Sequence, residues 1–459
     1  MKRLATATPQ DSIKATGLAL KSIKSELSNL SFIDATIGVF HDNREDGMPS
    51  WYREALAREQ KVSRKTGYNF VGMPEYLEGT ARLIFGNEVD TSTLAMAPSY
   101  GGSHAIYLGN SVLQDIVPVG LPTWPNHPGL IENAGGLMVA YRHLDDSGNF
   151  NFEGFRQSIE ELSLDNTELL QHAHKRFMMR WGIDPKSAEQ IPSLKNVLET
   201  KNISPLIHAI CHNPLGVNIP KDQWAAIVTL LKKNDTTLQI DLAYMGFGES
   251  VEKDVELVRY LFCEGVKLFL YFSYSKFHAH YAERRAGAVL CANFSKPERA
   301  VIQEKLLQQI RNTTSAIGTE PQSLSLRIEK DEDIRIEQRE WVRRLKEISK
   351  VNREILNSGV PDAYKLSTNT SGPFFFARDG ATTLLPWIFP ELAEKLGYEV
   401  SKEARAMPQE FMRIAAIPTS GEEGLGFGGV RIGLPLLTDE MAREAVKTFA
   451  YVYERIYSL

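Results

Sequence analysis

From residue 94 onward, short apolar runs alternate with longer amphipathic stretches. Residues 94–97, 115–119, 137–141, 205–211, 237–242, 266–272 and 287–291 are each too short for a helix and rich in Val, Ile, Leu and Phe, so they read as strands buried on both faces. Between two of them, residues 221–233 carry an apolar stripe of Trp224, Ile227, Val228 and Leu231, with Asn218 and Pro220 marking the start, and read as a helix. Further helices are expected over 13–27 and 49–60, and from Pro74 onward, where the ring suits a first turn. Strands alternating with helices imply an α/β fold: a mostly parallel, seven-stranded sheet sandwiched by helices. Ligands in such folds sit beyond the carboxyl ends of the strands.

Two stretches interrupt the rhythm. Residues 150–203 are polar and helical, without an obvious strand, and residues 312–335 carry Ser, Thr, Gly and Pro followed by a charge run. A long helix over 340–357 follows, with Trp341, Leu345, Ile348 and Ile355 on one side, and then strands at 372–377 and 429–434. The expected organisation is an N-terminal arm (1–47) that joins the C-terminal part, a large domain (48–335) with a helical insertion at about 150–203, and a linking helix with a smaller α+β domain (336–459).

Composition narrows the class. The 459 residues are 43% hydrophobic and 24% charged, and 52 Lys and Arg against 57 Asp and Glu leave a net charge of −5. No basic surplus points to nucleic acid or to an anionic membrane. The apolar runs are too short for a membrane span, and the N-terminus lacks the apolar core of a signal peptide. Cys211, Cys263 and Cys291 have no zinc-ligand spacing and no metal is expected; they read as free thiols in a reducing, cytoplasmic compartment.

Several strand ends carry chemistry. The run 266–272 leads into Ser273-Tyr-Ser-Lys276, with Arg284 further on. A Lys amine can form a Schiff base with a carbonyl, and a Ser hydroxyl with an Arg guanidinium can hold a phosphate. The run 237–242 delivers Asp241-Leu-Ala-Tyr244-Met-Gly-Phe247, and the run 205–211 delivers Asn213-Pro-Leu-Gly216. Ser99-Tyr-Gly-Gly102-Ser103 is small enough for backbone N–H groups to approach an anion at a helix start. Pro122-Thr-Trp124-Pro-Asn-His127 and Gly429-Val-Arg431-Ile-Gly433 complete the set. Taken singly, each is also an ordinary turn, cap or salt-bridge residue.

Together and in this order, these motifs resemble those of the fold-type I, class I aminotransferases, the aspartate and aromatic aminotransferase group. The resemblance covers about residues 32–149, 204–311 and 370–459. It implies pyridoxal 5'-phosphate (PLP) as cofactor and transamination between an L-amino acid and a 2-oxo acid. Lys276 would carry the Schiff base and move the Cα proton. Asp241 would pair the ring nitrogen, held by His127, while Tyr244 and Asn213 hold the ring oxygen and Trp124 stacks on the ring. Gly102, Ser103, Ser273 and Arg284 would form the phosphate cup, with Tyr68 reaching in from the neighbouring subunit of a homodimer. Arg431 would bind the substrate carboxylate, with Gly38, Trp124 and Asn213 around it. Leu215 stands where the family commonly has Thr.

The resemblance leaves the substrate side chain open. Counting back from Arg311 puts Val301 where the family has the Arg that recognises a second carboxylate. A PLP-dependent lyase or decarboxylase on the same scaffold is the alternative, because pocket shape decides which bond to Cα breaks. A catalytically dead PLP-sensing regulator is a third, disfavoured because the lead-in is too short and not basic enough for a DNA-binding module.

Overall fold

The computed structural model describes residues 12–28, 30–36, 48–61, 71–163, 167–181, 199, 202–281, 285–366, 369–380, 384–408, 410–419 and 428–457. Gly38, Tyr68 and Arg284 lie outside the described residues.

A seven-stranded sheet forms the centre, in the spatial order Ala95–Ser99, Gly287–Ala292, Leu268–Ser273, Leu238–Leu242, Leu206–His208, Ile116–Leu121, Leu137–Arg142. Only Gly287–Ala292 runs antiparallel to its neighbours. Every residue of Ile116–Leu121, Leu238–Leu242, Leu268–Ser273 and Gly287–Ala292 is buried, as expected of a sheet covered by helices on both faces. Gly101–Leu113, Lys296–Thr314 and Trp224–Lys233 are among the helices that pack against it.

Two differences from the sequence expectation have local causes. The strand expected over 205–211 ends at His208, and the backbone then turns, with Cys211 at φ 51°. The stretch expected to be irregular before the long helix is itself helical. Thr319–Lys330 forms one helix with Pro321 in its first turn, where a missing N–H costs nothing, and the long helix starts at Glu332 and runs to Asn357.

A second core gathers both ends of the chain. Phe32–Asp34 pairs in parallel with Arg413–Ala415, and Gly428–Gly433 pairs antiparallel with both Phe374–Gly380 and Ile417–Thr419. Leu20, Ile23 and Ile33 pack there with Leu356, Ile432 and Phe449. The helix Glu332–Asn357 serves both cores: Trp341, Val342 and Leu345 are buried in the first, Leu356 in the second. Among the described residues, no helix is long and apolar enough to cross a membrane.

Candidate active site

The strand ends meet in one cavity with about 550 Å³ of empty space, lined by Gly101, Gly102, Ser103, Trp124, Asn213, Asp241, Tyr244, Ser273 and Lys276, with His208, Ser275 and Arg285. On one side it is a cup of small residues. Gly101, at φ 74°, opens the helix Gly101–Leu113, and a Cβ there would lie 3.1 Å from Ser275 Oγ and 3.6 Å from Ser273 Oγ. A Cβ on Gly102 would lie 3.4 Å from Ser273 Cβ. Ser273 caps the short lysine turn by accepting from the Ser275 N–H at 3.2 Å. Backbone N–H groups at a helix start, hydroxyls and a guanidinium suit a phosphate.

Arg284, expected here, falls outside the described residues; its exposed neighbour Arg285 is among the residues lining the cavity. The pairing of the strands explains the placement of Arg285. Ser273 lies opposite Gly287, so residues just before Gly287 arrive beside the cup.

Asp241 sits in the same cavity at the end of its strand, buried to 3% exposure. Its Oδ2 is 3.1 Å from His127 Nε2 and 3.5 Å from His208 Nε2, and its Oδ1 accepts from the Ala243 N–H at 2.9 Å. Burial pushes the carboxyl up, but the His127 hydrogen bond and the neighbouring imidazoles outweigh it and hold the group at about 2. It is therefore an anion at neutral pH. Thr123 Oγ1, 2.8 Å from His127 Nδ1, fixes the far side of that ring. Trp124 meets His127 edge-on, centroids 5.3 Å apart. Sequence reading overlooked His208, which is placed by its pairing opposite Asp241. Burial lowers it to about 3 against the opposing pull of Asp241, so it is neutral. His127, His208 and Asp241 present ligand atoms within 4.8 Å of one another, a set a metal ion could use, but Lys276 and Arg285 in the same cavity disfavour a cation.

Lys276 Nζ lies over the Tyr244 ring, 4.6 Å from its centroid. Burial pulls the amine below the ordinary lysine range; Asp241 opposes this and Arg431 adds to it. Burial likewise raises the Tyr244 phenol. Asn213 Nδ2 donates to Tyr244 Oη at 3.3 Å, and Arg431 Nη1 donates to Asn213 Oδ1 at 3.2 Å. Arg431 Nη2 donates to the Thr36 carbonyl at 2.7 Å, and the guanidinium packs over Phe374 at 4.6 Å. The loop presenting Tyr244 is tied down by Asp254, whose carboxylate accepts from the N–H groups of Gly246, Gly248 and Glu249 at 2.8, 2.9 and 2.8 Å.

A second cavity opens beside Arg431 and shares Trp124, Asn213 and Tyr244 with the first. Ile13, Gly17, Leu20, Lys21 and Lys24 of the helix Ser12–Glu26 line its other side. Val301 lies in neither. It faces a groove with Asp115, Asn202 and Thr237, which precede strands, at the sheet end opposite Lys276 and Asp241. The valine there thus carries no information on side-chain recognition within this cavity.

The fold and this cavity define a class, and comparison with known proteins gives the family. Residues 33–449 match the family model "Aminotransferase class I and II", and the chain belongs to that family. Among curated relatives, it is 26% identical over 294 residues to an aspartate aminotransferase of Pseudomonas aeruginosa, covering 62% of this chain and 64% of that one. It is 29% identical over 279 residues to an aromatic-amino-acid aminotransferase of Paracoccus denitrificans, covering 58% and 61%. The chain thus spans just under two thirds of the length of these relatives. Among solved structures, it superposes on the Burkholderia pseudomallei aromatic-amino-acid aminotransferase covalently bound to pyridoxal phosphate with a TM-score of 0.68, at 21% identity and 98% coverage of both chains. For the cytoplasmic aspartate aminotransferase of Saccharomyces cerevisiae the TM-score is 0.71, at 18% identity and 98% coverage of both.

Proposed function

We propose that this protein is a PLP-dependent aminotransferase that moves an amino group between an L-amino acid and a 2-oxo acid. The observation that carries the reading is the lining of one cavity by a buried amine and a buried carboxylate kept ionised, with a cup of small residues beside them. The donor set fits PLP. Lys276 would hold the aldehyde carbon, Asp241 the ring nitrogen, Trp124 a ring face, and Asn213 with Tyr244 the ring oxygen. Gly102, Ser103, Ser273 and Arg284 would hold the phosphate, with Arg285 at the cavity wall beside them. The cofactor, when bound, supplies an electron sink for the pair released when a bond to Cα breaks.

The chain's own groups supply the rest. Arg431, fixed by Asn213, the Thr36 carbonyl and Phe374, offers its guanidinium to the substrate carboxylate. Lys276 is the base and acid for the Cα proton, and burial, by lowering its affinity for protons, makes the neutral amine accessible. His127 keeps Asp241 charged and aimed. A homodimer, with Tyr68 contributed across the interface, belongs to the same proposal. Aspartate, phenylalanine and tyrosine are the first donors to try, because the relatives are named for aspartate and aromatic amino acids.

The test loads the purified protein with PLP and supplies each donor with 2-oxoglutarate. The expected result is the donor's oxo acid together with glutamate, with none from Lys276→Ala. Ammonia or carbon dioxide released without a new amino acid would overturn the reading in favour of a lyase or decarboxylase.

A further inference from the structure

Two histidines stand close behind the lysine, in Lys276-Phe-His278-Ala-His280, and neither has a task in the proposed chemistry. Both are fully buried. His278 is sandwiched in a stack, its centroid 4.4 Å from Tyr274 and 5.0 Å from Phe277 at interplanar angles of 26° and 19°. Its Nε2 lies 2.6 Å from Glu329 Oε1, and Glu329 Oε2 is 2.7 Å from Arg339 Nη2. The Arg339 guanidinium returns to lie over the Phe277 ring at 4.5 Å, and Gln338 Nε2 donates to the Phe277 carbonyl. His280 Nε2 lies 3.4 Å from Ser325 Oγ, and its Nδ1 3.4 Å from Tyr52 Oη.

Ser325 and Glu329 are one helical turn apart on Thr319–Lys330, so both histidines dock on one face of that helix. The opposite attachment is equally specific. Glu59, itself buried, accepts from Ser323 Oγ and pairs with Arg327 Nε at 2.7 Å. This helix reaches the residues that follow Lys276.

We propose that the helix Thr319–Lys330 braces the turn bearing Lys276 through His278–Glu329 and His280–Ser325, making His278 and Glu329 positioning residues for the lysine amine. A buried histidine bonded to a charged carboxylate is a stiff link. Burial pushes Glu329 up, but His278 and Arg339 outweigh it and hold it at about 2, so the carboxylate stays ionised. Breaking the link leaves the Tyr274–Phe277 turn held by stacking, by backbone bonds such as His278 N–H to the Tyr274 carbonyl at 2.8 Å, and by the side chains of Gln338 on the Phe277 carbonyl and Thr80 on the Tyr274 hydroxyl. Small displacements of a catalytic amine are costly to rate and nearly neutral to substrate affinity.

The inference rests on Lys276 being the cofactor lysine, and its test separates the two claims. The variants are His278→Phe, which keeps a ring in the stack and removes the bond, and Glu329→Gln, which keeps the shape and removes the charge. The first readout is hydrogen–deuterium exchange of a peptide spanning Tyr274 to Tyr281. Both variants should exchange there roughly tenfold faster than the parent protein, while the strand Leu268–Ser273 is unchanged. The second readout is turnover and the pH titration of the absorbance band of PLP-loaded protein. A roughly ten- to hundredfold lower kcat at similar KM is expected, with a displaced titration midpoint. Parent-like exchange, kcat and midpoint in both variants would overturn the brace. Equal acceleration of the turn and the strand would also overturn it, reducing the contacts to general stability. A parent protein that takes up no PLP would defeat the functional reading alone, since the exchange experiment stands without cofactor.

Discussion

Replacing His127 with Leu should convert Asp241 from a group stabilised by ionisation into one penalised by it. In the parent protein two effects oppose each other on this carboxyl. Burial raises it, and the hydrogen bond at 3.1 Å from His127 Nε2, with the nearby imidazoles, brings it down from 3.8 to about 2. A difference of about two pKa units corresponds to ~2.5 kcal/mol favouring the charged form. Because the folded value is depressed, that stability is present above the unfolded value of about 3.9 and is lost as pH falls toward 2. In His127→Leu the main lowering contact is gone and burial acts against the weaker influence of His208 at 3.5 Å. The folded value then rises above the unfolded one, so the sign reverses: the group costs stability at neutral pH, and the cost is relieved as pH falls. The variant should be about 3 kcal/mol less stable near pH 7, and the difference should shrink as pH approaches about 4. Thermal and urea unfolding of both proteins across that range measure it. A stability gap that is constant with pH, or that widens toward acid, would refute the assignment of His127 as the group that keeps Asp241 charged.

Three further outcomes follow from the same geometry. Arg431→Ala should raise KM for the amino acid roughly ten- to hundredfold, the loss of a charge-assisted contact, read from steady-state kinetics; unchanged KM would place the carboxylate elsewhere. Gly101→Ala forces a Cβ into a left-handed position, 3.1 Å from Ser275 Oγ, and should weaken PLP binding at least about tenfold in a spectroscopic titration. Arg285→Ala should weaken binding of PLP more than that of pyridoxal, which lacks the phosphate; equal losses for both would remove Arg285 from the cup.

The sheet was legible because its strands are buried on both faces, so 266–272 and 237–242 stand out as continuous apolar runs among polar neighbours. The residues that line the cavity were legible for a related reason: Asp241, Asn213 and Lys276 each stand just beyond or at the end of such a run, where parallel strands deliver ligand-facing groups. What escaped depended on pairing between strands. Arg285 reads as one more charged residue until the register of Ser273 opposite Gly287 sets it at the cavity wall. His208 reads as one more strand residue until its pairing sets it against Asp241. The helix Thr319–Lys330 was hidden by Gly318 and Pro321, punctuation that ends helices in most contexts but is compatible with a first turn. Val301 shows the limit of counting along a chain without knowing which end of the sheet a helix residue faces.

The central claim is that the Lys276 amine meets the aldehyde of PLP in the cavity it shares with Asp241. Reducing the PLP-loaded protein with borohydride, digesting it and locating the pyridoxyl group by mass spectrometry tests this directly. The account predicts stoichiometric labelling of the peptide carrying Lys276 and its disappearance in Lys276→Ala. Labelling spread over surface lysines, or carried mainly by another residue, would contradict it.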